Sequence, residues 1–564
     1  MDLSKRKTLV LLLFFLFVYS YKGQAPTFQW VKTFSTHSVD KIVADKLGNI
    51  YTAGTFTGTI DLDPGPATFT VISGDGIKND ICISKFDASG NFVWGKTFGA
   101  YSDNDVMYGM TIDTTDNIHI TGSFSNISDF DPGPGSFTLS APSGGNIYIL
   151  KLDQNGSFVW AKQLECVNGG FGFEISTDIS GNVYTTGMFN GAIDLDPGPG
   201  TFTISATKGI FISSLNSSGN FSWGKAIPCS NLETVCSIES DRIGNVYLTG
   251  NFFNTLDFDP SASVFNLTSM DQGDIFLLKL DPLGNFAWAK GFNGLGNDMG
   301  RALVADSSGN IILGGRFKYI IDFDPGPSTY TLASFASDDV FILKLDGAAN
   351  FLWAKSMGES RPDYLTDIAI DSYQNVYATG IFEKTVDFDP GPGTYTLTTT
   401  IFNPNTFISK LNSNGNFVWA GAFSGAPTSG ISSITIDQFN NIYTVGAFGG
   451  TIDFDPGTPN YNLTSGSGDS FIHKLSQQLV GINEFENIQD VGLYPNPNSG
   501  SFNIDISSKT NIIVTNVLGE VIFNQTLDSG LQKINLEDYA SGIYFVSVKE
   551  KDSAPVSKRI VIAR

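Results

Sequence analysis

The chain has 564 residues, with 33 Lys and Arg against 56 Asp and Glu, a net charge of -23, 46 Phe and 61 Gly. So acidic a surface repels phosphate backbones and argues against nucleic acid as a partner. The apolar content is too high for a disordered chain, and the glycine content is that of a core threaded by many tight turns.

The first element is the N-terminal stretch MDLSKRKTLVLLLFFLFVYSYKGQA. Lys5, Arg6 and Lys7 precede an apolar run from Leu9 to Tyr19, and small residues follow at Gly23 and Ala25. Residues 1–25 therefore read as a secretory signal peptide. The run is shorter than the ~20 apolar residues that span a bilayer. No later segment is longer, so the mature chain is expected to have no membrane-spanning segment.

From Phe28 onward the sequence repeats. The seven tryptophans, Trp30, Trp94, Trp160, Trp223, Trp288, Trp353 and Trp419, are separated by 64, 66, 63, 65, 65 and 66 residues. Alternation and turn residues cut one unit, Asp281 to Asp346, into four strands: GNFAWAKGF, GRALVAD, NIILGGRF and DVFILKLD. Short turns such as DSSGN and DGAAN place Gly or Asn where a positive φ is needed. Four antiparallel strands per unit, repeated radially, predict a β-propeller. The ends of the repeat are complementary. A lone Trp strand, FQWVKTF, opens it, and SFIHKLS closes it with no Trp strand after it. The two halves are expected to complete one blade and close a ring of seven. The units GMTIDTTDNIHITGSF, DIAIDSYQNVYATGIF and SITIDQFNNIYTVGAF resemble the seven-bladed β-propeller repeat of exported bacterial proteins. That resemblance implies fold and export and carries no catalytic residues. Residues 26–479 are assigned to this all-β propeller.

Each unit carries a D-x-D-P motif: Asp61 with Asp63, Asp129 with Asp131, Asp194 with Asp196, Asp257 with Asp259, Asp322 with Asp324, Asp387 with Asp389, and Asp453 with Asp455. In extended chain the two carboxylates share a face and the Phe or Leu between them points into the core. Proline ends strand pairing, and the carboxylates are placed to accept free loop N–H groups. The alternative is calcium. It needs six to eight oxygens, more than two aspartates supply, and the fuller D-x-D-x-D-G pattern is absent. Turn structure is the preferred reading, with calcium as a speculative second role. No cofactor is required.

The remaining chemistry is sparse. His37, His119 and His473 have no zinc-site spacing. Cys82 reads as a small core residue, and Cys229 and Cys236 read either as a loop clip or as two free thiols. A catalytic centre in a repetitive ring needs residues that break the repeat. Those visible are Cys229 with Cys236, Glu359, Arg361 and Asp363 in GESRPDYL, and YSDNDVMYG from Tyr101. The tryptophans, strictly periodic and within strands, read as core.

After a linker at 480–490, residues 491–564 alternate as a small β-sandwich of six or seven strands. Tyr494-Pro495-Asn496-Pro497, Gly500, the Leu518-Gly519 turn, Ser541-Gly542-Ile543-Tyr544 and the basic end at Lys558, Arg559 and Arg564 resemble the type A C-terminal sorting domain of type IX secretion cargo. That resemblance implies passage through the periplasm, recognition by the secretion machinery, and release or attachment at the outer cell surface. The leading expectation is a binding module for an extracellular ligand, glycan or protein, without assigned catalytic residues. The alternatives are a carbohydrate-active hydrolase or lyase using acidic loop residues, and a structural or adhesive surface component.

Overall fold

The computed structural model describes residues 25–477 and 493–563, apart from 36–37, 75, 101–103, 230–233, 400–403, 426–427, 458–459, 507, 517–519 and 550–555. The signal segment, His37, the linker, the Leu518-Gly519 turn and Arg564 lie outside the described residues. Every regular element described is a β-strand. No helix among the described residues is long and apolar enough to cross a membrane. The chain divides into two compact units between residues 479 and 480.

In the first unit of the chain the strands pair as antiparallel groups of four. One group runs Met299–Ala305, Ile311–Asp322, Thr331–Leu345 and Phe351–Met357, in that order from inside to outside. The middle two strands are apolar on both faces: Ile311, Ile312, Leu313, Phe341, Ile342 and Leu343 are all fully buried. This is the signature of a sheet covered on both sides by its neighbours. The outer strand alternates instead, since only one face meets another sheet.

The pairing yields seven such groups among the described residues. Their inner strands are Lys41–Ala44, Val106–Ile112, Gly170–Thr177, Thr234–Ser240, Met299–Ala305, Tyr364–Ile370 and Thr428–Ile436. Each packs beside the next, and the last packs beside the first. The last group is completed by the opening strand Thr27–Ser35, which pairs antiparallel with Asn462–Ser476 from Thr27↔Ser476 to Ser35↔Asp469. Lys474 Nζ also donates to the Ala88 carbonyl at 2.6 Å, joining the last group to the first. The arrangement is a closed β-propeller.

The tryptophans sit at the seams. Gly90, Gly156, Gly219, Gly284 and Gly415 all have φ between +73 and +79, and a Cβ on any of them would lie 2.6 to 3.0 Å from Trp30, Trp94, Trp160, Trp223 or Trp353. Each of these five indoles thus covers a positive-φ turn of the following group, while the equivalent turn position in the DGAAN turn holds Ala349 at φ +65. Trp419 is buried and the other six are half-buried.

The second unit is a sandwich. Leu493–Tyr494, Ser501–Ile506 and Gly530–Asn535 form one sheet, and Val521–Leu527, Thr510–Asn516, Gly542–Lys549 and Val556–Ile562 form the other. Phe502, Ile504, Ile512, Val514, Ile534, Val546 and Ile560 fill the space between them. The Y-P-N-P-N-S-G stretch ties into the last strand. Asn496 Oδ1 accepts the Val561 N–H at 2.8 Å and its Nδ2 donates to the Arg559 carbonyl at 3.0 Å. Asn498 exchanges backbone bonds with Val561 and Ala563, and its Oδ1 accepts the Gly500 N–H at 2.7 Å.

Candidate functional site

The D-x-D-P loops have one geometry seven times over. In the Asp322 copy, Oδ1 of Asp322 accepts the N–H of Asp324 at 3.1 Å and of Tyr330 at 2.8 Å, and Oδ1 of Asp324 accepts the Gly326 N–H at 2.8 Å. The same three bonds occur at Asp61 and Asp63, Asp129 and Asp131, Asp194 and Asp196, Asp257 and Asp259, Asp387 and Asp389, and Asp453 and Asp455. The residue between the carboxylates, Leu62, Phe130, Leu195, Phe258, Phe323, Phe388 or Phe454, is at most 1% exposed. At Asp129 burial pushes the carboxyl up, but the N–H groups of Phe137 and Asp131 outweigh it and hold the group below its ordinary value. Among the described residues no three His, Cys, Asp or Glu side chains come together as a metal site. The geometry is that of a loop clamp.

The aspartate that opens each inner turn is a second clamp. Asp306 Oδ1 accepts the N–H groups of Ser308 and Asn310 at 2.9 and 3.0 Å, while Oδ2 takes the Asn310 amide at 2.7 Å and Lys344 Nζ at 2.9 Å. In other units a buried tyrosine hydroxyl fills part of this role, as Tyr377 does on Asp371 at 2.9 Å. His119 takes the tyrosine's place in one unit, with Nε2 3.1 Å from Asp113. His473 is packed among Phe28, Phe423 and Phe454, and burial pushes it down to about 3. Both histidines are core groups.

A different arrangement surrounds the bore. The second strand of every unit contains Gly-x-Phe, and a Cβ on that glycine would lie 1.8 to 2.0 Å from an inner-strand carbonyl oxygen at Gly122, Gly187, Gly250, Gly315, Gly380 and Gly446, and 1.9 Å from the Ser38 carbonyl, just before the inner strand, at Gly54. Only glycine permits this approach, and beside it the inner strand bulges. The register shifts at Tyr108, Phe173, Cys236, Arg301, Thr366 and Ser432. Asp40 holds the same place in the first unit, directly before Lys41–Ala44. A bulge re-aims a side chain, so two consecutive residues face the bore where alternation allows one. Those seven residues all line a single cavity of about 830 Å³.

The cavity has a distinct floor and wall. One residue further along each strand, the floor is set by Lys41, Glu174, Ser237, Ala302 and Asp367. Lys41 Nζ crosses the bore to Glu174 Oε2. Gly109 lies between them in sequence order round the ring, and a Cβ there would sit 2.9 Å from Glu174 Oε1. Asp367 Oδ2 accepts Ser433 Oγ and the Ile434 N–H, both at 3.0 Å. Burial alone lowers the Lys41 amine, but Glu174 and Asp367 outweigh it and hold it above its ordinary value. Below the floor, burial pushes Glu239 up to about 8 against the opposing Ala305 N–H and Ser176 hydroxyl. The wall is aromatic on one side. Tyr108 meets Phe173 edge-on at 5.5 Å, and Phe171 stacks on Phe173 at 6.1 Å.

Of the repeat-breaking residues singled out in the sequence, Cys236 and the Val106, Met107 and Tyr108 of YSDNDVMYG line this cup. Among the described residues no disulfide joins Cys229 to Cys236, and Cys82 and Cys166 are buried without one. Asp363 is buried and accepts the Glu359 and Glu383 N–H groups at 3.0 and 3.2 Å, holding a loop. Glu359 and Arg361 are absent from the cup lining. Lys41, Glu174, Arg301 and Asp367 were not singled out. Their signal lies in comparing units. Counted five residues before the turn aspartate, the units read Asp, Tyr, Phe, Cys, Arg, Thr and Ser, and counted four before it they read Lys, Gly, Glu, Ser, Ala, Asp and Ser.

Residues 492–563 match the secretion system C-terminal sorting domain family. An uncharacterized WD repeat-containing protein of Acanthamoeba polyphaga mimivirus is 23% identical over 491 residues, covering 72% of this chain, and the match spans 35% of that relative's length. Among solved structures, the chain is similar to PorZ, a surface component of the type-IX secretion system of Porphyromonas gingivalis, at 10% identity over 94% of this chain and 100% of that one, with a TM-score of 0.22. It is similar to the Cps50 (Swd1) β-propeller domain of Myceliophteria thermophila at 8% identity over 79% and 100%, with a TM-score of 0.37. The ring itself rests on the strand pairing described above. A sorting tail implies export by type IX secretion to the cell surface or the extracellular space. The chain is thus a β-propeller that carries a type IX secretion sorting domain at residues 492–563.

Proposed function

We propose that the propeller is an extracellular binding module whose ligand seats in the cup of the bore, delivered through the periplasm by residues 1–25 and across the outer membrane by the tail. One observation carries this reading. The position that faces the cavity, bulged in six of the seven units, holds seven different residues, and the position after it is nearly as varied. A fold requirement would copy that position as it copies the D-x-D-P loops; a site needs unlike groups converging on one space. Supporting it, the cavity volume falls in the range of ligand pockets, roughly 300–1,000 Å³, and Lys41 with Glu174 closes its floor.

The test is a screen of the purified protein against soluble glycans and extracellular proteins, repeated with a Tyr108→Ala, Arg301→Ala double variant. Binding that falls at least about tenfold in the double variant, with the ligand recovered intact, supports a binding cup. Cleaved polysaccharide would favour the hydrolase alternative. Undiminished binding would move the site to the outer loops.

A further inference from the structure

The cup's charges are unequally engaged. Lys41 is held by Glu174 and lies in the field of Asp367. Arg301 is exposed and, among the described residues, makes no ion pair. Among the described residues that line the cup, Arg301 carries the one guanidinium. Arginine occurs at this repeat position in one unit only. A second guanidinium, Arg316, stands on the paired strand opposite Met299, stacked 5.1 Å over the Tyr364 ring. Beneath Arg301 the floor is small, Ala302 and Ser237, so depth is available there.

Across the cup stands the aromatic wall. Phe171 is 40% exposed although it belongs to an inner strand. Between wall and guanidinium the lining is hydroxyl and carboxylate: Thr366, Ser432 and Asp40. A forked donor matches the two coplanar oxygens of a carboxylate or those of a sulfate. An aromatic face suits the apolar face of a pyranose ring, and hydroxyl and carboxylate groups pair with ring hydroxyls.

Building on the binding-module reading, we infer that the cup takes an acidic saccharide, with its anionic group on Arg301 and a sugar face against Tyr108 and Phe173. Neutral sugars lack the group that Arg301 would pair with, and polyanions without a ring lack the aromatic contact.

Titration calorimetry tests this on the purified protein with three probes: a galacturonic acid trimer, a chondroitin sulfate tetrasaccharide and a neutral galactose trimer. At least one acidic probe is expected to bind, with the neutral trimer at least about tenfold weaker. Arg301→Ala should cost about tenfold or more, and Arg301→Lys should recover part of the loss because it keeps charge without the fork. Unchanged circular dichroism controls for folding. Failure of both acidic probes to bind overturns the inference. Equal binding of the neutral trimer, insensitive to Arg301→Ala but weakened by Tyr108→Ala, also overturns it while leaving a binding cup. A probe that binds but responds to neither variant defeats both readings.

Discussion

Asp322 commits one carboxylate oxygen to two backbone N–H groups, and this decides what its replacement does. Asp322→Ala removes both acceptor contacts from the loop, leaving the Phe323 N–H bond to the Tyr330 carbonyl at its base. The expected cost is about 1–3 kcal/mol in denaturant unfolding. If all seven motifs act as clamps and nothing more, melting temperature in calcium and in excess chelator should be the same; a rise with calcium would favour the metal reading. Other carboxylates respond to pH. Burial pushes Asp298, Asp339 and Asp363 up to about 7. Asp298 faces Asp274, Asp338 and Arg316, Asp339 faces Glu359 and Asp338, and Asp363 faces Asp339 and Glu383. Each is a carboxyl whose folded value exceeds its unfolded one. The folded state therefore binds more protons between the two, and stability falls as pH rises through about 7. The buried His473, pushed down to about 3, acts oppositely below its unfolded value. The clean window is therefore about pH 6.5 to 8. Melting temperature should decline across it, and less steeply in Asp298→Asn; a rise across it would contradict the assignment.

At the level of strands and turns, glycine and tryptophan form one device across the seam. Gly284 and Gly309 have nearly the same φ, +76 and +79, but a Cβ on Gly284 meets Trp223 at 2.6 Å and one on Gly309 meets nothing within 4 Å. Both alanine variants pay the positive-φ strain. Gly284→Ala should cost about 1–3 kcal/mol beyond Gly309→Ala, read from paired denaturant curves. Much of this level was legible in the sequence. The four-strand cut of Asp281 to Asp346 follows from alternation and turn residues, and the Phe of D-x-D-P was expected in the core, where Phe323 is found. The tryptophans, read simply as core, turn out to be seam covers, because the group each packs against belongs to the next repeat. The cup was not legible, for a physical reason. Alternation puts Arg301 and Ala302 on opposite faces, and only the bulge facing Gly315 turns both toward the bore. A period-two reading has no term for an inserted residue.

For the whole molecule, the opening strand is what joins the ring. Thr27–Ser35 covers the edge of Asn462–Ser476, and removing residues 27–35 leaves an unpaired edge beside an apolar seam. The shortened protein is expected to melt at lower temperature and to elute as higher oligomers in gel filtration; an unchanged monomer with unchanged melting would contradict closure by this strand. The sorting tail forms its own core around Phe502 and Ile534 and bears the export signal, and the proposed ligand binding is placed on the ring. Hydrogen exchange of the purified protein, free and saturated with the acidic oligosaccharide that calorimetry selects, tests the account most directly. Slowed exchange at residues 106–109, 171–174 and 299–302 is the predicted result. Slowing confined to the D-x-D-P loops or to residues 493–563 would contradict it.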